Sequence, residues 1–390
     1  MKSAYNHTGL LNLHIVKEAN RWTKSELITA AQRQAIRAEY PVSFYHPNIF
    51  IRILLFIATF IALSGVTGML VLIFGDAINN ETAIYTLMLF YGLVSFAILD
   101  LMFIATQNHY KSGVTEALLY HAAGFTIGGA MGLTDFEVST MAIIVLVVCG
   151  FAAFRYLDLI ATVCAFCALA FFIFYRLYEA GGVVQQITPL VLIAVFTGVY
   201  FIVRKVSRNP ETEVWEDVLL IVESLSLVLI YVAGNYFVVR ELSMELMNLY
   251  LEPGDDIPFA WLFYGLTVLI PVGYLYFGLK KKDFALIRVS LIAIAFSVFT
   301  FKYYFSLGHP EITLTLAGAV LLTVSLLLFR YLRTPRHGYT RENLLDEKWA
   351  NANLEGFIVS QSLGGNQVTT SDVETGGGGV SRGGGSTDSF

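Results

Sequence analysis

The sequence predicts an all-α integral membrane protein: about ten transmembrane helices, a small cytosolic N-terminal helical hairpin and a disordered Gly-rich C-terminal tail. Three observations carry this. Of 390 residues, 56% are hydrophobic and only 14% are charged, against about 25% charged in soluble domains. Mean hydropathy is +0.64. The apolar residues also come in long blocks, and a block that must satisfy its backbone inside hydrocarbon has to be helical.

The organisation follows in order. Residues 1–48 form the hairpin, 49–332 the membrane domain, 333–364 a cytosolic segment with one short helix, and 365–390 the tail. In the hairpin, Thr29 and Gln32 have the spacing of a capping box, in which each side chain takes the other residue's free amide. Pro41 ends that helix. A preceding helix presents Leu10, Leu13 and Val16, and the pair is expected to pack through Leu13, Val16, Trp22, Leu27, Ile28, Ala35 and Ile36. So small a unit is not stable alone. It should dock on the membrane domain or on a cytosolic protein partner, with Trp22, Leu27, Ile28 and Ile36 as the docking residues.

A Trp, a short polar turn, Leu-Ile-Thr, then Gln and Ala-Ile stand at Trp22, Leu27, Ile28, Thr29, Gln32, Ala35 and Ile36, ahead of many membrane helices. This arrangement resembles the bacterial membrane proteins of domain-of-unknown-function 2157. The resemblance implies a bacterial inner-membrane location and brings no catalytic residue.

A span needs about 20 mainly apolar residues. Candidates run over 53–74, 84–105, 118–133, 138–154, 157–175, 187–203, 218–239, 261–277, 285–301 and 312–329. The fourth and fifth are separated by only Arg155 to Asp158, so 138–175 is either a tight hairpin or one broken element. With ten spans both termini are cytoplasmic. All of the 25 basic residues except Arg176, Arg240 and Lys302 then lie on that side, as the positive-inside rule requires. The opening residues are too polar for a cleaved leader, so the first span is expected to act as the insertion signal. On the outer side, RELSMELMNLYLEPGDDIPFA should begin with a short interfacial helix. Its Glu252, Asp255 and Asp256 surround Pro253-Gly254 in a solvated turn. NQVTTSDVETGGGGVSRGGGSTDSF cannot bury enough apolar surface to order itself.

Ionisable groups within spans are costly and mark function. Asp100, Glu223, His121, Glu116 and Arg288 all fall in the cytoplasmic half. A cavity open to the cytosol would gather them and bind a solute or relay a proton. Near helix ends the same groups can instead reach water and be structural. Gly124, Gly128 and Gly132 form a small-residue stripe for close helix packing. Pro189 is read as beginning a helix and Pro271 as kinking one. Cys164 and Cys167 form a CxxC, and Cys149 lies at similar depth, but a thiol in hydrocarbon is poorly ionised. Three cysteines make no disulfide framework.

No P-loop, dinucleotide fingerprint, HExxH or nucleophile elbow is present. The histidines lack metal-ligand spacing, and no basic run suits nucleic acid. The sequence therefore points to no catalytic residue, cofactor or metal. Its expected partner is the lipid bilayer. Two functions follow: small-solute or proton-coupled transport through a cytoplasm-facing cavity, or a membrane-embedded scaffold or sensor recruiting partners through hairpin and tail.

Overall fold

The computed structural model describes residues 3–75, 80–247 and 256–304, with scattered positions between 315 and 331. Twelve α-helices account for most of them, and no strand occurs among the described residues beyond one isolated bridge, Tyr45 to His109. Among the described residues, eight segments are long and apolar enough to cross a membrane: Ile49–Phe74, Glu81–Thr106, Val138–Tyr156, Leu159–Glu179, Gly182–Val206, Pro210–Gly234, Ala260–Lys281 and Phe284–Tyr304. The chain is a multi-pass membrane protein. The count of about ten is not reached among the described residues. The span at 312–329, the acidic turn at 252–255, the short helix after 333 and the tail lie largely or wholly outside them.

Two short helices precede the bundle, α1 (His7–Lys24) and α2 (Ala30–Glu39). The capping box forms: the Thr29 amide donates to Gln32 Oε1 at 2.8 Å and the Gln32 amide to Thr29 Oγ1 at 3.2 Å. The hairpin has no core of its own. Leu10 and Leu13 are buried against the membrane helices in one cluster with Tyr5, Phe44 and Tyr110. No residue of α2 is buried, and Trp22 and Leu27 are 37% and 58% exposed. The reason is composition: Ile36 is the one large apolar residue in AAQRQAIRAE, so α2 has no face to bury.

Helix α3 (Ile49–Phe74) leads into α4 (Glu81–Ile98), which continues as a π-helical segment, Leu99–Thr106. The third expected span is α5 (Val114–Gly132), which carries Thr115, Glu116, His121 and Thr126 and buries ten of its nineteen residues. It is a helix packed among others, and so it is less apolar than a lipid-facing span. Its seam with α4 runs through Gly92, Gly129 and Gly132. A Cβ added there would lie 2.3 Å from Thr126, 2.4 Å from the Leu89 amide and 2.2 Å from the Tyr85 ring, respectively. Gly124 faces open space, and Gly128 meets only the flexible end of Met88. The stripe of three thus contributes one close contact, at Gly132.

Residues 138–175 are two helices, α6 (Val138–Tyr156) and α7 (Leu159–Glu179), packed as a hairpin. Leu157 takes the left-handed conformation at φ 55° and Asp158 caps α7. Helix α8 (Gly182–Val206) starts earlier than the sequence suggested, which places Pro189 inside it. A 3-10 turn, Pro210–Trp215, then leads into α9 (Glu216–Gly234).

The expected seventh span, 218–239, is broken. Asn235 is extended after Gly234, and α10 (Tyr236–Met247) sets off separately. The break is held by a buried polar network. Asn235 Nδ2 donates to the Tyr231 hydroxyl at 2.9 Å and to Thr300 Oγ1 at 3.1 Å, and the Tyr236 amide donates to Thr267 Oγ1 at 2.9 Å. Thr267 thus replaces a backbone partner that the break removes, and Tyr231 and Thr300 satisfy the buried Asn235 amide. Helices α11 (Ala260–Lys281) and α12 (Phe284–Tyr304) complete the bundle, with Pro271 buried inside α11.

Candidate functional site

The chain runs back and forth, so the starts of α3, α5, α7 and α9 share one face with the N-terminal helices. At that face lies a cavity of about 270 Å³, lined by Tyr5, Arg52, Lys111, Glu116, Tyr120 and Asp158 among others.

Each polar wall has a local cause. Asn48 caps α3, its side chain accepting the Ile51 amide at 2.9 Å, and this sets Arg52 on the first turn. The loop into α5 passes so close that a Cβ on Gly113 would lie 2.1 Å from the Arg52 carbonyl oxygen, and Gly113 has φ +91°. Only glycine fits both conditions. The Gly113 amide donates to Glu116 Oε2 at 2.7 Å, and the Thr115 hydroxyl donates to the same oxygen at 2.9 Å. The other oxygen, Oε1, receives Arg52 Nη2 in an ion pair. Across the cavity, Asp158 Oδ1 accepts the Ala161 amide at 2.7 Å and Oδ2 accepts the Tyr120 hydroxyl at 3.0 Å.

Asp100 stands in the π-helical segment. Its Oδ2 accepts Arg155 Nη2 at 2.6 Å and Arg155 Nε at 3.0 Å. π-Helical turns frequently mark functional sites, because the widened turn re-aims a side chain. Leu99, its first residue, and Tyr156, next to Arg155, both line the cavity.

Tyr5 closes one side. The Ala4 amide donates to the Arg155 carbonyl at 2.8 Å, and the Tyr5 ring packs edge-on against Tyr110, 4.9 Å between centroids. Burial, then neighbouring Tyr110, Glu116, Tyr156 and Asp158, hold its phenol well above the ordinary range, so it stays protonated. His46 approaches the Tyr110 carbonyl at 3.4 Å. Burial and the nearby Lys17 lower its imidazole below the usual value.

The sequence-predicted residues do not all meet. Glu116 lines the cavity, and Asp100 is paired with Arg155 behind it. Glu223 belongs to a second cluster, where Arg204 holds Glu223 at 3.4 Å and Asp283 at 2.7 Å and also bonds the Tyr200 hydroxyl. Asp283 in turn caps α12. His121 is buried between Tyr91 and Phe125, with ring centroids 5.2 and 4.6 Å away, and its Nε2 has no hydrogen-bond partner among the described residues. Arg288 is exposed on α12. One cavity gathering all five is therefore not formed: the acids divide between two helix groups, each beside its own arginine.

Arg52, Tyr120, Tyr5 and Asp283 were not singled out in the sequence. Arg52 and Asp283 stand at the starts of α3 and α12, but their partners Glu116 and Arg204 sit on α5 and α8, so the pairing needs the packing order, and Tyr5 and Tyr120 carry no charge that would mark them. All three cysteines are free thiols, Cys164 and Cys167 exposed and Cys149 buried. Among the described residues, no group of three or more His, Cys, Asp or Glu could hold a metal ion. No family model, curated protein or solved structure matches the chain.

Proposed function

We propose that this protein binds a small polar solute in the cavity beneath Tyr5 and carries it across a bacterial inner membrane, the cavity opening to the cytoplasm. The carrying observation is the cavity itself: about 270 Å³ with both signs of charge held at the starts of α3, α5 and α7 and in the loop before α5. Orientation rests on the basic-residue asymmetry. Arg52, Lys111, Glu116 and Asp158 suit a solute bearing both donors and acceptors, and the Arg52–Glu116 and Tyr120–Asp158 contacts are ones that a solute can replace. The π-helical segment places Leu99 in the cavity wall and Asp100 beside it.

The test is thermal unfolding of the detergent-solubilised protein against a panel of small solutes at two pH values. A binding solute at 100 times its Kd stabilises by about 2.7 kcal/mol. The shift should vanish in Glu116→Gln and Asp100→Asn and persist in Glu223→Gln. A panel that moves nothing, or a shift that survives Glu116→Gln, removes the reading.

A scaffold or sensor is the second reading, favoured by α2, which buries no residue, and by the exposed Trp22 at the end of α1 and Leu27 in the turn between the two helices. Such a surface suits a cytosolic protein partner. It predicts that Trp22→Ala abolishes function in cells while Glu116→Gln is silent.

A further inference from the structure

A second cavity lies at the far end of the bundle from the polar one, between α7, α8, α9 and α10. Its volume is about 320 Å³, within the roughly 300–1,000 Å³ of small-molecule sites. Phe171 and Phe174 form one wall, Leu192 and Ala233 the back, and Val238 and Leu242 of α10 the roof.

The lining offers nothing to water. Its two hydroxyls are both spent on their own helices: Thr188 Oγ1 donates to the Val184 carbonyl at 3.1 Å and Ser243 Oγ to the Val239 carbonyl at 2.7 Å. A cavity without free polar groups stays dry and takes apolar guests. Nor can it readily collapse. The roof helix is fixed at its first residue by the Tyr236 amide on Thr267, and the Asn235 network anchors the break before it. Arg240, on the same helix, pairs with Asp256 at 3.8 Å and lies over the Tyr304 ring.

The cavity is continuous with the lipid-facing surface. Phe171 and Leu242, both in its lining, are also exposed on the outside of the bundle, as is Val184 beside Thr188. A groove that opens sideways into hydrocarbon is reached by lipid and not by a water-soluble molecule.

We infer that this cavity is a site for one acyl chain of a membrane phospholipid, entering from the leaflet at the α10 end, the outer leaflet in the orientation proposed above. The chain lies between α7 and α8 beneath α10. The break at Asn235 makes the site, because a continuous α9 would carry Val238 and Leu242 away from it. This inference is independent of the solute reading and concerns a different face of the molecule.

The experiment measures phospholipid retained per protein after prolonged detergent exchange, by mass spectrometry, then the shift in unfolding temperature on adding back dioleoyl phosphatidylglycerol. The wild type should keep about one lipid and regain stability on addition. Ala233→Leu and Val238→Phe fill the cavity from its back and its roof, and each should lose both effects. Phe201→Ala, on the lipid-facing surface of α8 away from the cavity, should change neither. Glycerol 3-phosphate, the headgroup without chains, should give no shift. Equal retention in wild type and both filled variants would mean surface lipid only and would overturn the inference. So would a wild type that retains none and does not respond.

Discussion

Replacing Arg52 should cost more than replacing its partner, although one contact is lost in both cases. The Glu116 side chain is 11% exposed and that of Arg52 is 36% exposed. Arg52→Gln leaves a buried carboxylate without its cation. Breaking such a pair from one side costs about 3–5 kcal/mol. Here the cost is smaller, because the Gly113 amide and the Thr115 hydroxyl still donate to Glu116 and the start of α5 favours negative charge by about 0.3–1 kcal/mol. About 2 kcal/mol is the resulting expectation. Glu116→Gln instead strands a guanidinium that water can reach, and its amide oxygen can still accept from Gly113. That loss is of the order of a surface pair, about 1 kcal/mol. The double variant should cost less than the sum of the singles, with a coupling of about 1 kcal/mol. Reversible unfolding in mixed micelles measures all three. If Glu116→Gln is as costly as Arg52→Gln, or the two effects simply add, the burial argument for this pair is wrong.

Two further perturbations probe docking and packing. His46 has a depressed folded value, from burial first and Lys17 next, so the folded state binds its proton less readily than the unfolded chain does. Its contribution to N-terminal docking is full above the ordinary histidine value, about 6.5. It is lost as pH falls through the lower folded value. Protease sensitivity of α1 should therefore rise on acidification from pH 7.5 to 5, and His46→Gln should flatten that profile; an unchanged profile would show that other groups control it. In the α4–α5 seam, Gly92→Leu has no space between Thr126 and Ala122 and should abolish folded protein on size-exclusion chromatography. Gly124→Ala meets nothing and should elute as the wild type does, whereas equal damage from both would place the seam wrongly.

Composition and hydropathy are enough to make this a helical membrane protein, because hydrocarbon admits no backbone donor or acceptor left unpaired and the apolar blocks are long. The chain also sets local devices whose partners lie within a turn. The Thr29–Gln32 capping box was legible, since both side chains bond backbone three residues away. The glycine stripe misled for a related reason. Spacing by four names one helix face, and only packing decides whether α4 lies against that face or against Gly129. Tertiary structure alone decided the rest. Asn235 breaks what reads as a continuous apolar span because Thr267, on another helix, accepts the Tyr236 amide, while Tyr231 and Thr300, the latter 65 residues away, hold the Asn235 side chain. It also sorted the membrane acids. Asp100, Glu116 and Glu223 look alike in sequence, each a lone carboxylate in an apolar run. Their roles differ because Arg155, Arg52 and Arg204 approach them from other helices, and a charge in a low-dielectric interior is defined by whatever packing sets beside it.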